Sequence, residues 1–260
     1  MNPFAPLHAG PDLLILPNAW DAGSARVIEV AGAKAIATSS AAVAWAQGYP
    51  DGEALPFDAI LATVRGMARV VSVPITADIE QAYGATADAA AASVARVHDA
   101  GAQGINIEDG AQAPELLRAK IAAIKAKLGD RVWINARTDV YLKALVPPER
   151  AFDETVRRAD LYRAAGADSI FVPFVYDDAV LVRLVKAIAA PINVLGPGLP
   201  DAPRLKEIGV RRLSAGGGVA KLSFDRAFAL AREFQSEGRS SRFGAPIQIP
   251  GGLNALMKRG

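Results

Sequence analysis

The chain has 260 residues, of which 51% are apolar, 22% charged and 7% aromatic, with 23 Gly and 17 Pro; this is globular composition and excludes disordered, collagen-like and low-complexity classes. Twenty-nine Lys and Arg against 27 Asp and Glu leave a net charge of +2, too balanced to predict nucleic acid or an acidic surface as a partner. Cysteine is absent and there are two histidines, His8 and His98, so disulfides, thiol nucleophiles, zinc knuckles and iron–sulfur clusters are ruled out by counting.

No apolar run reaches the ~18 residues that a membrane span needs, and Met1–Leu7 carries no basic leader, so no membrane is expected and a cytoplasmic location is. Along the chain one phrase recurs: Ala31-Gly32-Ala33 before AIATSS, Ala100-Gly101-Ala102 before GINIED, and Ala165-Gly166-Ala167 before SIFVP. Each reads as a helix stopped by a left-handed glycine, a short loop and then a buried strand. Pro74 and Pro191 introduce two further strands, where a missing N–H is tolerated. Eight strands are predicted, starting near residues 13, 35, 73, 104, 132, 168, 191 and 211. Helical stretches are predicted at roughly 21–32, 56–70, 86–100, 114–128, 149–165, 178–189, 201–208 and 219–236. Eight βα units with right-handed crossovers close most naturally into a single α/β domain, a (β/α)8 TIM-type barrel over residues 1–236, with a Gly- and Pro-punctuated tail over 237–260. An open doubly wound sheet is the competing arrangement.

In a barrel, chemistry gathers where strands end. Period-two alternation groups Asp78 with Glu80, Asn106 with Glu108, and Asn135 with Arg137 and Asp139. Packed carboxylates resist ionising together unless a cation joins them, and an oxygen-only ligand set without His or Cys points to Mg²⁺, with Mn²⁺ as the alternative. Asp78 is the expected direct ligand, with Glu80 and Glu108 acting largely through water. The plainer reading is that these acids cap the helices that follow. Arg137 lies in an otherwise apolar strand, either paired with Asp139 or Glu108 or forming a fork for a substrate carboxylate or phosphoryl group. A metal beside such a fork suits a 2-oxo acid, for which the ion serves as a Lewis acid toward an enolate. No lysine stands at a strand end for a Schiff base, and the histidines are placed wrongly for zinc. The run Ser214-Ala215-Gly216-Gly217-Gly218 is either a phosphate cradle or a tight turn.

The segments LPNAWDAGSARVIEVAGAKAIATSS, GYPDG, VPITADIEQAYG, GINIEDG, INARTDVYL, GADSIFVP and GVRRLSAGGG resemble, in order and over about residues 13–232, the isocitrate lyase/phosphoenolpyruvate mutase superfamily, and within it the short phosphonomutase-like branch. The resemblance implies a modified barrel, Mg²⁺ dependence, and cleavage or formation of a C–C or C–P bond next to a 2-oxo acid. It also implies a homo-oligomer, a tetramer whose last helix is exchanged between subunits. By the same resemblance Ser39 and Ser40 bind the substrate carboxylate, Asp51 is the acid beside the metal, Asp78 the direct ligand and Glu108 the third acid. Glu80 stands where the family usually has a second Asp, and Arg137 holds substrate; Arg137, Asp51 and Glu108 form the expected catalytic set. The lid of the isocitrate and methylisocitrate lyases resembles a Lys-Cys-Gly-His segment; here GAQAPELLRAK follows Glu108-Asp109 with neither Cys nor His, nor the Lys and Asn of the mutases. Proton chemistry is then left to Tyr49, Tyr83, a serine hydroxyl, a carboxyl or metal-bound water. Oxaloacetate-like decarboxylation is the simplest expectation, because CO₂ leaves without a general acid. The alternatives are a phosphonopyruvate or phosphoenolpyruvate mutase or hydrolase, and a non-catalytic 2-oxo acid binder.

Overall fold

The computed structural model describes residues 1–245 and 248–258. Nine parallel strands form one sheet: β1 (Leu14–Leu16), β2 (Asn18–Ala19), β3 (Ile36–Thr38), β4 (Ile75–Asp78), β5 (Gly104–Glu108), β6 (Trp133–Arg137), β7 (Ser169–Pro173), β8 (Ile192–Leu195) and β9 (Arg212–Ser214). Neighbours follow the order β1-β9-β8-β7-β6-β5-β4-β3-β2, which wraps the sheet into a nearly closed α/β barrel. The ninth strand arises because the first predicted strand is split at Pro17. Leu14–Leu16 pairs with β9 while Asn18–Ala19 pairs with β3, so one short run of chain spans the closure. Proline, with no N–H, cannot serve a ladder on either side of that gap.

Helices alternate with the strands: α1 (Phe4–Ala9), α2 (Ala22–Val30), α3 (Ser40–Ala46), α4 (Phe57–Val70), α5 (Ala87–Asp99), α6 (Pro114–Leu128), α7 (Pro148–Ala164), α8 (Asp178–Ala187), α9 (Ala202–Ile208), α10 (Gly218–Glu237) and α11 (Gly252–Met257). The recurring Ala-Gly-Ala phrase acts as predicted: Gly32, Gly101 and Gly166 take φ of 103°, 117° and 108°, ending α2, α5 and α7 one residue before the loop into the next strand. The ring is held to the sheet by stripes at helical spacing, as in α4, which buries Ile60, Leu61, Val64, Met67 and Val70.

Besides α11 in the tail, two helices were not legible in the hydrophobic period. The short α1 plugs the N-terminal end of the barrel: Phe4 is fully buried, and His8 stacks on Trp133 with ring centroids 4.6 Å apart. Burying Phe4 alone is worth roughly 1.5–3 kcal/mol. The seven-residue α3 starts directly at the end of β3, where Ser39 caps it by accepting a hydrogen bond from Ala42 N–H.

The last long helix, α10, buries only Ala220 and leaves Leu222, Phe224, Phe228 and Phe234 exposed. The tail predicted over 237–260 folds back on the chain where it is described. Its α11 returns to α2 of the same chain, Leu256 is buried, and its carbonyl accepts from Arg26 Nε at 3.2 Å. Residues 246, 247, 259 and 260 of that tail lie outside the described residues.

Candidate active site

Asp78, Glu108 and Arg137 are the last residues of β4, β5 and β6, and the parallel register sets Asp78 opposite Asn106 and Glu108 opposite Arg137. The C-terminal end of the barrel therefore gathers the acids Asp78 and Glu108 with Arg137. A cavity of about 270 Å³ opens there. Its polar wall includes Ser39, Ser40, Asp51, Asp78, Asn106 and Arg137, and its apolar wall Phe171, Phe174 and Leu195.

Asp78 receives the Ser40 backbone N–H at 3.2 Å, and its own N–H donates to Thr38 Oγ1 at 2.7 Å. Burial pushes its carboxyl above the usual range, Arg137 opposes that, and the nearby charge of Asp51 adds to it. Two carboxylates facing one small cavity are what a hard divalent cation would relieve, and Mg²⁺ needs few protein oxygens because it keeps several waters. The donor set fits such an ion, with Asp78 and Asp51 as the carboxylates nearest the cavity.

Glu80 has a different setting. Its carboxylate accepts from Glu53 N–H at 2.8 Å and from Tyr83 Oη at 3.4 Å, and burial pushes its pKa up to about 7. The Glu53 carboxylate in turn accepts from Gln81 N–H at 3.0 Å and Tyr83 N–H at 2.9 Å. Glu53, Glu80, Ala82 and Tyr83 all lie at positive φ, between 50° and 74°. Four non-glycine residues in that region are strained, and the reciprocal Glu53–Glu80 clasp holds them there. The clasp ties the loop carrying Asp51 to the loop that follows Asp78. Sequence reasoning missed Glu53; the one available signal was a second acid in GYPDGE.

Arg137 makes both of the pairs that were alternatives in the sequence. Nε and Nη2 fork onto Asp139 at 2.6 and 3.1 Å, and Nη1 meets Glu108 Oε2 at 2.6 Å. The fork is fixed by its own acids while the residue still lines the cavity. Burial raises the Glu108 carboxyl against the pull of Arg137. Asp109 is structural: buried, it accepts from Arg158 Nη1 at 2.8 Å, Tyr162 Oη at 2.6 Å and Asp139 N–H at 2.9 Å.

Of the residues singled out in the sequence, Ser39, Ser40, Asp51, Asp78 and Arg137 meet at one cavity. Glu80 and Glu108 sit beside it, engaged with Glu53 and Arg137, and among the described residues no three His, Asp or Glu side chains gather into a metal-holding cluster. Tyr49 and Tyr83 are not in the cavity wall. In the glycine run, the N–H groups of Ala215 and Gly216 donate to Asn18 Oδ1 at 3.0 and 2.8 Å and Gly218 N–H donates to Ala215 O, so most of the candidate phosphate donors are already used.

The family model described as phosphoenolpyruvate phosphomutase matches residues 4–235. An uncharacterized protein of Mycobacterium tuberculosis is 38% identical over 218 residues, 82% of this chain and 81% of its own. An oxaloacetate decarboxylase of Pseudomonas savastanoi is 30% identical over 159 residues, 55% of this chain and 52% of its own. Among solved structures, a phosphonopyruvate hydrolase in complex with oxalate and Mg²⁺ shares the fold, with a TM-score of 0.84 and 22% identity over 95% of this chain and 91% of the other.

Proposed function

Because the chain belongs to the phosphoenolpyruvate phosphomutase family, within the phosphoenolpyruvate mutase/isocitrate lyase superfamily, we propose that it is a Mg²⁺-dependent lyase that decarboxylates a small oxaloacetate-like 2-oxo acid. The observation that carries this reading is the make-up of the cavity wall: carboxylates, an arginine, serines and asparagines, with no His, Cys, Lys or Tyr among its described residues. A wall without an ordinary general acid suits a bond cleavage that requires none. When the C3–C4 bond of a 3-carboxy-2-oxo acid breaks, its electron pair becomes the C2–C3 double bond of an enolate, CO₂ departs, and a proton reaches C3 afterwards. The relative named as an oxaloacetate decarboxylase agrees with this chemistry.

Asp78 would hold the ion directly, with Asp51 beside it and Glu80 and Glu108 acting through water; bound there, a divalent cation supplies Lewis-acid polarisation of the 2-oxo group. The phosphonopyruvate hydrolase that carries Mg²⁺ and oxalate on the same fold supports that cofactor. Arg137, held by Asp139 and Glu108, fixes the pyruvate-like portion. Ser39 and Ser40, at the start of α3, receive the carboxylate. Phe171, whose ring centroid lies 5.9 Å from Arg137 Cζ, forms with Phe174 and Leu195 the apolar part of the wall and limits water there. The uncovered apolar side of α10 fits a tetramer that exchanges its last helix between subunits.

The test is pyruvate release from oxaloacetate, measured against the rate that Mg²⁺ alone produces. A wild-type rate well above that background, abolished in Asp78→Ala, is the expected result; a rate equal to background overturns the reading. Phosphate release from phosphonopyruvate would place the protein with the hydrolases instead.

A further inference from the structure

Beneath the cavity the barrel interior holds an arginine without a carboxylate. Arg212 on β9 is 0% exposed, and among the described residues it makes no ion pair. Its Nε donates to Ser214 Oγ at 3.2 Å, its Nη2 donates to Asn106 Oδ1 at 3.2 Å, and Nη1 has no hydrogen-bond partner. Burial lowers its pKa to about 10, which leaves it charged at neutral pH. A lone buried cation is costly, so its contacts are worth following.

They lead to a chain of hydrogen bonds with a fixed direction. From the far side, Trp133 Nε1 donates to Ser169 Oγ at 2.9 Å, Ser169 Oγ donates to Asn135 Oδ1 at 2.8 Å, and Asn135 Nδ2 donates to Asn106 Oδ1 at 2.8 Å. The oxygen and nitrogen of an asparagine amide are commonly interchangeable by a flip. Here they are not, because the chain ends on a guanidinium that can only donate. Asn106 must turn its oxygen to Arg212, and because Asn135 approaches that same oxygen, Asn135 must meet it with Nδ2 and turn its own oxygen to Ser169 Oγ. The indole N–H of Trp133 is compatible with this sense, since Ser169 Oγ accepts from it while donating to Asn135. Asn106 thus meets Arg212 and Asn135 with its oxygen, and its NH₂ is the group left over. Asn106 is 3% exposed and lines the cavity with Asp78, Asp51 and Arg137, and no hydrogen bond from its Nδ2 is formed within the described chain.

We infer that Asn106 is a substrate-binding donor: its NH₂ hydrogen-bonds an oxygen of the bound 2-oxo acid, and Arg212 is the positioning residue that holds the amide in that sense. The inference rests on the cavity being a 2-oxo acid site, as proposed above. A preset donor aimed at an oxygen that gains negative charge during the reaction needs no reorganisation, which is the condition under which such a contact aids catalysis most.

The probe is oxalate, titrated calorimetrically into the Mg²⁺-loaded full chain. Asn106→Asp keeps an oxygen for Asn135 and Arg212 but places a carboxylate oxygen where the NH₂ stood, and it should weaken oxalate at least a hundredfold. Asn106→Ala should weaken it roughly ten- to a hundredfold, the range for a lost hydrogen bond to a charged group. Unchanged affinity in either variant, with a cooperative melting transition retained, overturns the assignment. For the positioning residue, Arg212→Met should weaken oxalate and Arg212→Lys, again donor-only, should restore it; equal loss in both reduces Arg212 to packing. Should Arg212→Met fail to fold, Arg212→Gln, which can turn either an oxygen or an NH₂ to Asn106, takes its place, and wild-type affinity in that variant overturns the positioning role. Wild-type protein that binds oxalate without decarboxylating oxaloacetate removes the functional reading and leaves the Asn106 assignment to the variants; wild-type protein that does not bind oxalate overturns both.

Discussion

The two ends of the barrel are built on opposite terms. At the mouth, Asp78 and Glu80 are desolvated next to like charges, and Glu53, Glu80, Ala82 and Tyr83 hold left-handed backbone conformations. At the base, Phe4, His8 and Trp133 stack into a plug, and the polar atoms above it are joined through Ser169, Asn135 and Asn106. Burial even holds His8 neutral, lowering its pKa to about 4. The mouth carries groups whose charges the fold does not satisfy by itself, which suits a place where a charged ligand completes the set. The base contributes packing that offsets the resulting loss of stability.

If that division is right, substitutions at the two ends should fail in different ways. The largest effect on chemistry is expected from Asp78→Asn. We expect turnover to fall by roughly a thousandfold or more, since the metal contribution is several kcal/mol, while the melting temperature stays equal to or above the wild type. A clear drop in melting temperature would show that the mouth is not stressed. At the base, the pH dependence of stability has a definite sign. With His8 neutral in the folded state and titrating near 6.5 when unfolded, the unfolded chain binds more protons between about pH 6.5 and 4. Stability is therefore full above pH 6.5 and falls as pH drops through that window, by roughly 3 kcal/mol at its lower end. In denaturant titrations His8→Phe should remove most of this slope and leave turnover near neutral pH unchanged; a slope that persists assigns it to other groups.

A smaller effect is expected at the Glu53 clasp. Glu53→Ala strips the partner from Gln81 and Tyr83 N–H and should cost about 1–3 kcal/mol of stability. Turnover should also fall, by about tenfold, because the loop bearing Asp51 loses its anchor; a variant that is less stable but fully active would confine Glu53 to a structural role. Smallest of all for the barrel is Phe228→Asp on the exposed side of α10. Its melting at low protein concentration should be near wild type, and sedimentation should show a lower assembled mass; unchanged mass overturns the exchanged-helix tetramer.

Most of the barrel was legible because its signals are local. A glycine that stops a helix, or a proline that starts a strand, acts within a few residues, and predicted and observed strand starts differ by two residues or fewer. Asp78 and Arg137 were legible for a related reason: the last residue of a barrel strand faces the mouth whatever its neighbours are. The split at Pro17, the α1 plug and the clasp at Glu53 were not, because each depends on residues far apart in the chain. Glu80 illustrates the limit. Period-two alternation put it on the same side as Asp78, but the backbone leaves the strand after Asp78 and turns to positive φ, so its carboxylate goes to Glu53. Arg212 fell inside the strand predicted from near residue 211 and was not singled out, and only the packed interior shows that it stands without an acid.

The break at Pro17 bears on how the chain assembles. Leu14 pairs with Arg212, and Asn18 bridges the opening by accepting from Ala215 and Gly216 N–H while donating to Thr38 O at 2.6 Å. The first strand segment and the last are thus fastened by contacts spanning about two hundred residues, a loop whose closure is entropically expensive and slow relative to the local βα units. A growing chain can stack β3 through β8 as they emerge, but its first strand has nothing to lie against until the ninth exists. The wall formed by Asn18, Ser214 and Gly216 therefore comes into being only with nearly the whole chain present, and no truncated product can carry a finished cavity.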